Sequence, residues 1–297
     1  MSIRTEPRSA PANGIELAYD TFGDPMDPPL LLIMGLGTQM IGWDDDFCAE
    51  LAARGHHVVR FDNRDIGQST KFGQLGVPDI GQAMAAAMQG QPIKSPYVLN
   101  DMTDDAIGLL DALGIGSAHV VGASMGGAIA QLMAIRNPSR VRTLTSIMAS
   151  SGEPTLPPPT PAAMQVLLTP TPPDYDGYLA RYLSTWKVLR VGSFPQDEAL
   201  DPARARRAYE RGLNPPGVAR QLVAIIASGS RRPALTKVTT PTLVIHGDVD
   251  PLVLLAHGQD VAAAVPGAKI EIIPGMGHAL PIPLWPQIIG AIAAHTR

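Results

Sequence analysis

The sequence has one cysteine, Cys48. That excludes an internal disulfide framework and any cysteine-built zinc or iron–sulfur site. A lone thiol suits a reducing compartment, and the expected location is cytoplasmic. The first residues, MSIRTEPRSAPANG, carry no apolar segment of signal-peptide type, so none is expected. There is no basic excess: 23 Lys+Arg stand against 27 Asp+Glu, a net charge of −4. With no clustered basic stripe either, a nucleic-acid partner is not expected. A membrane span needs roughly 18 consecutive apolar residues. The stretch 118–135 has no Asp, Glu, Lys or Arg, but glycines, a His, a Ser and a Gln interrupt it. It reads as strand, turn and helix, and no membrane partner follows. HExxH and similar ligand spacings are missing, so neither metal nor cofactor is expected. What remains is globular: 45% hydrophobic and 17% charged residues in 297. Such a chain buries about three quarters of its unfolded surface in one or two domains.

Apolar runs alternate with helical patterns, which predicts an α/β fold: a mostly parallel sheet with helices on both faces. The expected strands are 15–22, 30–33, 57–61, 119–121, 141–149, 242–246 and 269–273. Their short continuous runs suit parallel strands buried on both faces. Helical stripes run through Trp43, Phe47 and Leu51, through Met102, Ala106, Leu109, Leu110 and Leu113, and through Trp285, Ile288, Ile289 and Ile292. Eight prolines between Ser151 and Tyr175 cannot sit inside a sheet. Helical patterns follow to about residue 230, one with Asp201 expected as N-cap before Pro202. Residues 151–232 therefore read as a helical cap inserted into one discontinuous core, 1–150 and 233–297. Pro78–Pro96 reads as a second excursion.

The sharpest motif is Gly122-Ala123-Ser124-Met125-Gly126-Gly127, directly after an apolar strand and opening a helix. A serine at so sharp a turn needs almost side-chain-free neighbours, and it projects its hydroxyl above the sheet. A serine hydroxyl needs a base, and the base an orienting acid, here in the chain order Ser, acid, His. His278, in a glycine-flanked loop after the last strand, fits that order as base. His257 and His295 fall in helical patterns and read as solvated or capping, whereas His246 ends a strand beneath the site. The acid lies in His246-Gly247-Asp248-Val249-Asp250-Pro251, and both aspartates sit where ligands bind in such sheets. The backbone amides of Met125 and Leu36 are the expected oxyanion donors, Leu36 from the loop Met34-Gly35-Leu36-Gly37.

At these residues the chain resembles the lidded α/β-hydrolases, over nearly the whole core. The resemblance rests on the glycine-flanked serine, on Asp62–Thr70 (DNRDIGQST), on Thr240–Gly247 (TPTLVIHG) and on Pro274–Pro281 (PGMGHALP). Within that superfamily it is most similar to the aclacinomycin methylesterase-like group of bacterial esterases, in the Met34-Gly35 loop and the closing His295-Thr296-Arg297 as well. The resemblance implies Ser124 as nucleophile, Asp250 rather than Asp248 as acid, and His278 as base. It also implies that Asp62–Ser69 is a structural turn. Met34 replaces the histidine that many relatives carry in the oxyanion loop.

The expected function is hydrolysis of a small to medium apolar carboxylic ester through an acyl-enzyme. A lactonase, a perhydrolase, a carbon–carbon bond hydrolase or a proline-type aminopeptidase on the same residues are the alternatives; a non-catalytic small-molecule binder is a further one. The peptidase would want cap carboxylates, for which Glu198 and Glu210 are available. Met34, Gly35, Tyr178, Tyr182 and Trp186 are candidate substrate contacts. For the aromatic stripe Tyr175, Tyr178, Tyr182 and Trp186, the favoured role is bolting the lid to the core. Met34, Met125 and Met276 suggest a pliable apolar pocket. Arg204, Arg206, Arg207 and Arg211 read as a solvated helix face, and Cys48 as a buried structural thiol. Monomer and homodimer both stay open.

Overall fold

The computed structural model describes residues 4–191, 194 and 198–297. The first three residues of the predicted core, and 192–193 and 195–197 of the predicted cap, lie outside the described residues. The strands are β1 (Arg8–Ala12), β2 (Ile15–Phe22), β3 (Pro29–Ile33), β4 (His57–Phe61), β5 (Ala118–Ala123), β6 (Val141–Ile147), β7 (Thr242–Gly247) and β8 (Lys269–Ile273). They form one sheet in the order β1-β2-β4-β3-β5-β6-β7-β8. β1 and β2 are antiparallel to their neighbours, and every pairing from β4 to β8 is parallel. This is the mostly parallel α/β sheet that the strand–helix alternation predicts, in the α/β-hydrolase form that the resemblance implies.

β1 is a strand the apolar-run criterion passes over. Its sequence, RSAPA, holds a proline and only two buried positions, as an edge strand allows. The signal that marks it is Asn13-Gly14: both residues have positive φ, and Ala12 pairs with Ile15 across them. That is a two-residue hairpin turn of the kind Asn-Gly favours. β6 stops at Ile147 rather than Ala149, because Met148 takes φ 42°.

The helices are α1 (Asp45–Ala52), α2 (Ile80–Met88), α3 (Leu99–Ala112), α4 (Met125–Arg136), α5 (Pro161–Leu168), α6 (Tyr175–Arg190), α7 (Leu200–Glu210), α8 (Pro215–Ala227), α9 (Arg232–Leu235), α10 (Leu255–Ala264) and α11 (Trp285–His295). Met102, Ala106, Leu109 and Leu110 of α3 join Ile129 and Met133 of α4 in the core on one sheet face. Phe47 and Leu51 of α1 meet Ile288, Ile289 and Ile292 of α11 on the other. α4 is buried all round from Met125 to Ala134, so it shows no polar stripe. The segment 78–96 forms α2, which packs on α8.

α5 to α9 all lie between β6 and β7. Asp201 is not the N-cap of α7 but lies inside its first turn, fully buried, where Arg190 and Arg204 pair with it. The arginines of α7 are not a solvated face. Arg204 pairs with Asp44 at 2.8 Å, Arg207 with Asp45 at 3.2 Å, and Arg211 with Asp62 at 2.9 Å. Of the four, only Arg206 is well exposed, stacked over Tyr175 and near Glu210. Helical spacing reports which residues share a face. It does not report that three carboxylates from the sheet side wait opposite that face.

Candidate active site

Ser124 follows β5, at the centre of the sheet, with φ 55° and ψ −120°. A non-glycine residue in that region is strained and persists only where its surroundings over-determine it. The glycines around it are the reason it can exist. A Cβ on Gly122 would run into the Gly126 carbonyl, and one on Gly126 into the Ile33 carbonyl. One on Gly127 would meet Ala149 Cβ at 2.5 Å. The helix α4 therefore starts pressed against β3, β5 and β6, and the hydroxyl of Ser124 stands above the carboxyl ends of the parallel strands.

Asp250 and His278 arrive from the loops after β7 and β8. His278 Nε2 lies 3.0 Å from Ser124 Oγ, and its Nδ1 lies 2.7 Å from Asp250 Oδ2. A carboxylate only accepts, so Nδ1 carries the proton and Nε2 is left as the acceptor facing the serine. Asp250 Oδ1 accepts the amides of Leu252 at 2.9 Å and Val253 at 2.8 Å, which fixes the carboxylate's rotation. Burial pushes the Asp250 carboxyl up. The charge and hydrogen bond of His278, the Val253 amide and the charge of His246 outweigh burial, and the group is held below its ordinary value. Asp248 is exposed and accepts the Gly275 amide at 2.7 Å instead, bracing the histidine loop from outside. Gly275 takes φ 73°, and a Cβ on Gly277 would strike the carbonyls of Leu189 and Arg190. The end of α6 thus seats this loop, and the His278 amide donates to Leu189 O at 2.7 Å.

His246 sits beneath, fully buried, its Nε2 bonded to Val253 O at 2.7 Å and 3.8 Å from Asp250. Burial lowers its pKa. His257 is not solvated. It bonds Ser150 Oγ at 2.8 Å and Pro157 O at 2.9 Å, tying α10 to the proline-rich segment. His295 at the end of α11 reaches the carbonyls of Leu144 and Pro241, each at 3.2 Å. Cys48 is fully buried, and burial pushes its thiol up to about 12, so it is no nucleophile.

The loop after β3 approaches the serine closely: a Cβ on Gly35 would lie 3.1 Å from Ser124 Cβ. Among the described residues, neither the Leu36 nor the Met125 amide donates to a protein acceptor, and both residues line the cavity beside Ser124. The loop is braced by residues that sequence reasoning missed. Gln221 of α8, fully buried, accepts the Gly37 amide at 3.0 Å and donates to Arg64 O at 2.8 Å. Asn63 donates to Met34 O at 2.9 Å, and Asp62 accepts the Met40 amide at 2.7 Å. Nothing in the spacing of Gln221 announces a partner 184 residues away. The segment Asp62–Ser69 is a brace with buried polar groups, as a structural turn requires.

A cavity of about 990 Å³ opens over Ser124 and His278 between these loops and α5 to α8. Its wall is mostly apolar and includes Met34, Met125 and Met148; Met276 is fully buried and lies outside the lining. Tyr178, Tyr182 and Trp186 line it, whereas Tyr175 packs on Tyr209 of α7 at 5.4 Å. The stripe therefore divides: Tyr175 and Tyr178 pack α6 on Tyr209 of α7, and Tyr178, Tyr182 and Trp186 face the cavity. Neither Glu198 nor Glu210 reaches the lining, so the two carboxylates suggested for an aminopeptidase do not face the cavity.

The family model for the alpha/beta hydrolase fold matches residues 28–283. The chain is 33% identical to rhodomycin D methylesterase from Streptomyces sp. strain C5, over 95% of both chains. It is 32% identical to rhodomycin D methylesterase from Streptomyces peucetius, again over 95% of each. Among solved structures it is similar to a hydrolase from Pseudomonas aeruginosa PA01, with a TM-score of 0.72, 26% identity and 98% of each chain covered.

Proposed function

The chain belongs to the α/β-hydrolase family, and from that premise we propose that it is a serine carboxylesterase working through an acyl-enzyme. The observation that carries the reading is the continuous hydrogen-bond line Asp250–His278–Ser124, at 2.7 and 3.0 Å, ending on a strained serine. In this mechanism His278 Nε2 takes the proton of Ser124 Oγ as the oxygen attacks an ester carbonyl. Asp250 holds the ring in the competent tautomer and stabilises the imidazolium. The oxyanion is received by the amides of Leu36 and Met125, the second at the N-terminus of α4, where the helix dipole favours negative charge. His278 returns the proton to the departing alcohol. Water then adds to the acyl-enzyme with His278 again as base.

The methylesterase relatives and the size of the cavity favour a methyl ester of a bulky, largely apolar acid. In this reading α5 to α8 act as the lid over the ester. No metal or organic cofactor enters any step. The buried lone thiol suits a reducing cytoplasm.

The test is turnover of p-nitrophenyl esters of graded chain length by the protein and by Ser124→Ala. Loss of the serine of such a triad typically lowers kcat by about a millionfold. Turnover is expected to fall to the uncatalysed background or near it, and an organophosphonate is expected to label the parent and not the variant. Equal rates in both proteins would remove Ser124 from the mechanism.

A further inference from the structure

Among the described residues the cavity is lined by five arginines, Arg181, Arg190, Arg204, Arg207 and Arg231, against a single carboxylate, Asp44. The chain as a whole carries −4, so this concentration of positive charge is local. Three of the five pair with carboxylates: Arg190 with Asp201, Arg204 with Asp44 and Asp201, and Arg207 with Asp45, which Arg4 and Arg60 also share. Arg181 and Arg231 have no carboxylate partner among the described residues.

Arg231 is the sharper anomaly. It is only 7% exposed. Its guanidinium donates to Gln131 Oε1 at 3.1 Å, to Ser150 O at 2.8 Å and to Gly229 O at 3.3 Å, all of them neutral oxygens. Burial alone pulls the guanidinium down to about 10, so it remains a cation at neutral pH. Arg181, on α6, donates to Thr169 O at 2.9 Å, and burial lowers it too. Isolated buried charge is strongly unfavourable unless something of opposite sign offsets it. Among the described residues no acidic group stands at either position, Arg231 being buried and Arg181 half-buried, and both face the cavity that holds Ser124.

We infer that the ester bound here carries a second acidic oxygen group, ionised at neutral pH and remote from the scissile bond, which Arg231 and Arg181 receive. The group is a carboxylate or an acidic phenol. The inference rests on the esterase reading and deepens it, because it names what the substrate carries besides the ester. Charge-assisted bonds from guanidinium to such an oxygen are the strong kind and supply both affinity and orientation.

The test compares three p-nitrophenyl esters of similar length: the adipate half-ester, the neutral 6-methylheptanoate, whose isopropyl end mimics a carboxylate in shape, and the 6-aminohexanoate. A second pair, methyl 4-hydroxy-3-nitrophenylacetate and its 4-methoxy counterpart, separates the phenol from the carboxylate. The expected result is a kcat/KM about tenfold higher for the anionic member of at least one pair, carried by KM, with the ammonium ester poorest. The pair that shows the preference identifies the acidic group. Arg231→Gln and Arg181→Gln should each shrink the anionic-to-neutral ratio by about fivefold, again through KM. Arg181 is the less buried, so its variant decides the matter if Arg231→Gln does not fold.

An anionic-to-neutral ratio of one or less in both pairs, with neutral esters turned over normally, overturns the inference and leaves the esterase standing. So does a preference that neither variant changes. Failure of the folded parent to hydrolyse any of these esters overturns the esterase reading, and this inference with it.

Discussion

Asp248 and Asp250 are two residues apart in one turn, and their surroundings differ completely. Asp250 is buried, with each oxygen engaged by donors of the site, and His278 holds its carboxyl below the ordinary range. Asp248 faces solvent and braces a backbone amide. If Asp250 sets the tautomer of His278, Asp250→Asn should lower kcat by about 10,000-fold with little change in KM. Asp248→Asn keeps an acceptor for Gly275 and should stay within about threefold of the parent. Steady-state kinetics on one ester checks both, and equal losses in the two variants would count against the assignment. From the residues alone both aspartates were candidates, and only the family resemblance chose Asp250; the physical difference between them could not be read from the sequence. It depends on where two amides and an imidazole from another loop come to rest.

At the scale of elements, α7 shows how a polar helix can carry structural weight. Its arginines reach carboxylates at the start of α1 and after β4. Asp62 has no solvent access and also holds the Met40 amide beyond the loop after β3. Arg211→Met strands that carboxylate, and breaking a buried pair costs about 3–5 kcal/mol. A loss near the lower end, about 3 kcal/mol, is expected because Arg211 keeps some solvent contact. Arg206→Ala, on the exposed side of the same helix, should change stability by less than about 0.5 kcal/mol. Urea unfolding of both variants tests the contrast, and similar midpoints would restore the solvated-face reading. Most strands were legible because continuous apolar runs are what burial on both faces demands. β1 escaped because an edge strand has only one neighbour to satisfy, and its evidence lay in the turn rather than in the strand.

For the whole molecule, five histidines sit where burial lowers their pKa: His56, His57, His119, His246 and His295. His119 is brought to about 4 by burial first, and then by the charges of Arg142, His56 and His295. In the folded state these rings stay neutral where the unfolded chain would protonate them, near pH 6.5. The unfolded state then binds more protons, so stability rises with pH in that window. Stability should be full above about pH 6.5 and fall steadily as the pH drops below it, for His119 down to about 4. Urea midpoints between pH 8 and 5 measure this, and His119→Gln should flatten the slope. A midpoint that is level or rising from pH 7 to 5 would contradict the prediction.

The amino-acid sequence alone determined the α/β alternation, the parallel strands and the glycine-flanked serine turn. Each follows from local sterics or from the burial period of a single element, and both are written in consecutive residues. Tertiary structure alone decided that Gln221 steadies the loop beside the serine and that α7 faces carboxylates. It also decided that Arg231 and Arg181 meet the cavity with no opposite charge among the described residues. Those are relations between residues of different elements, and a residue's chemistry does not say which distant group will lie within 3 Å of it once the sheet has closed its neighbours around it.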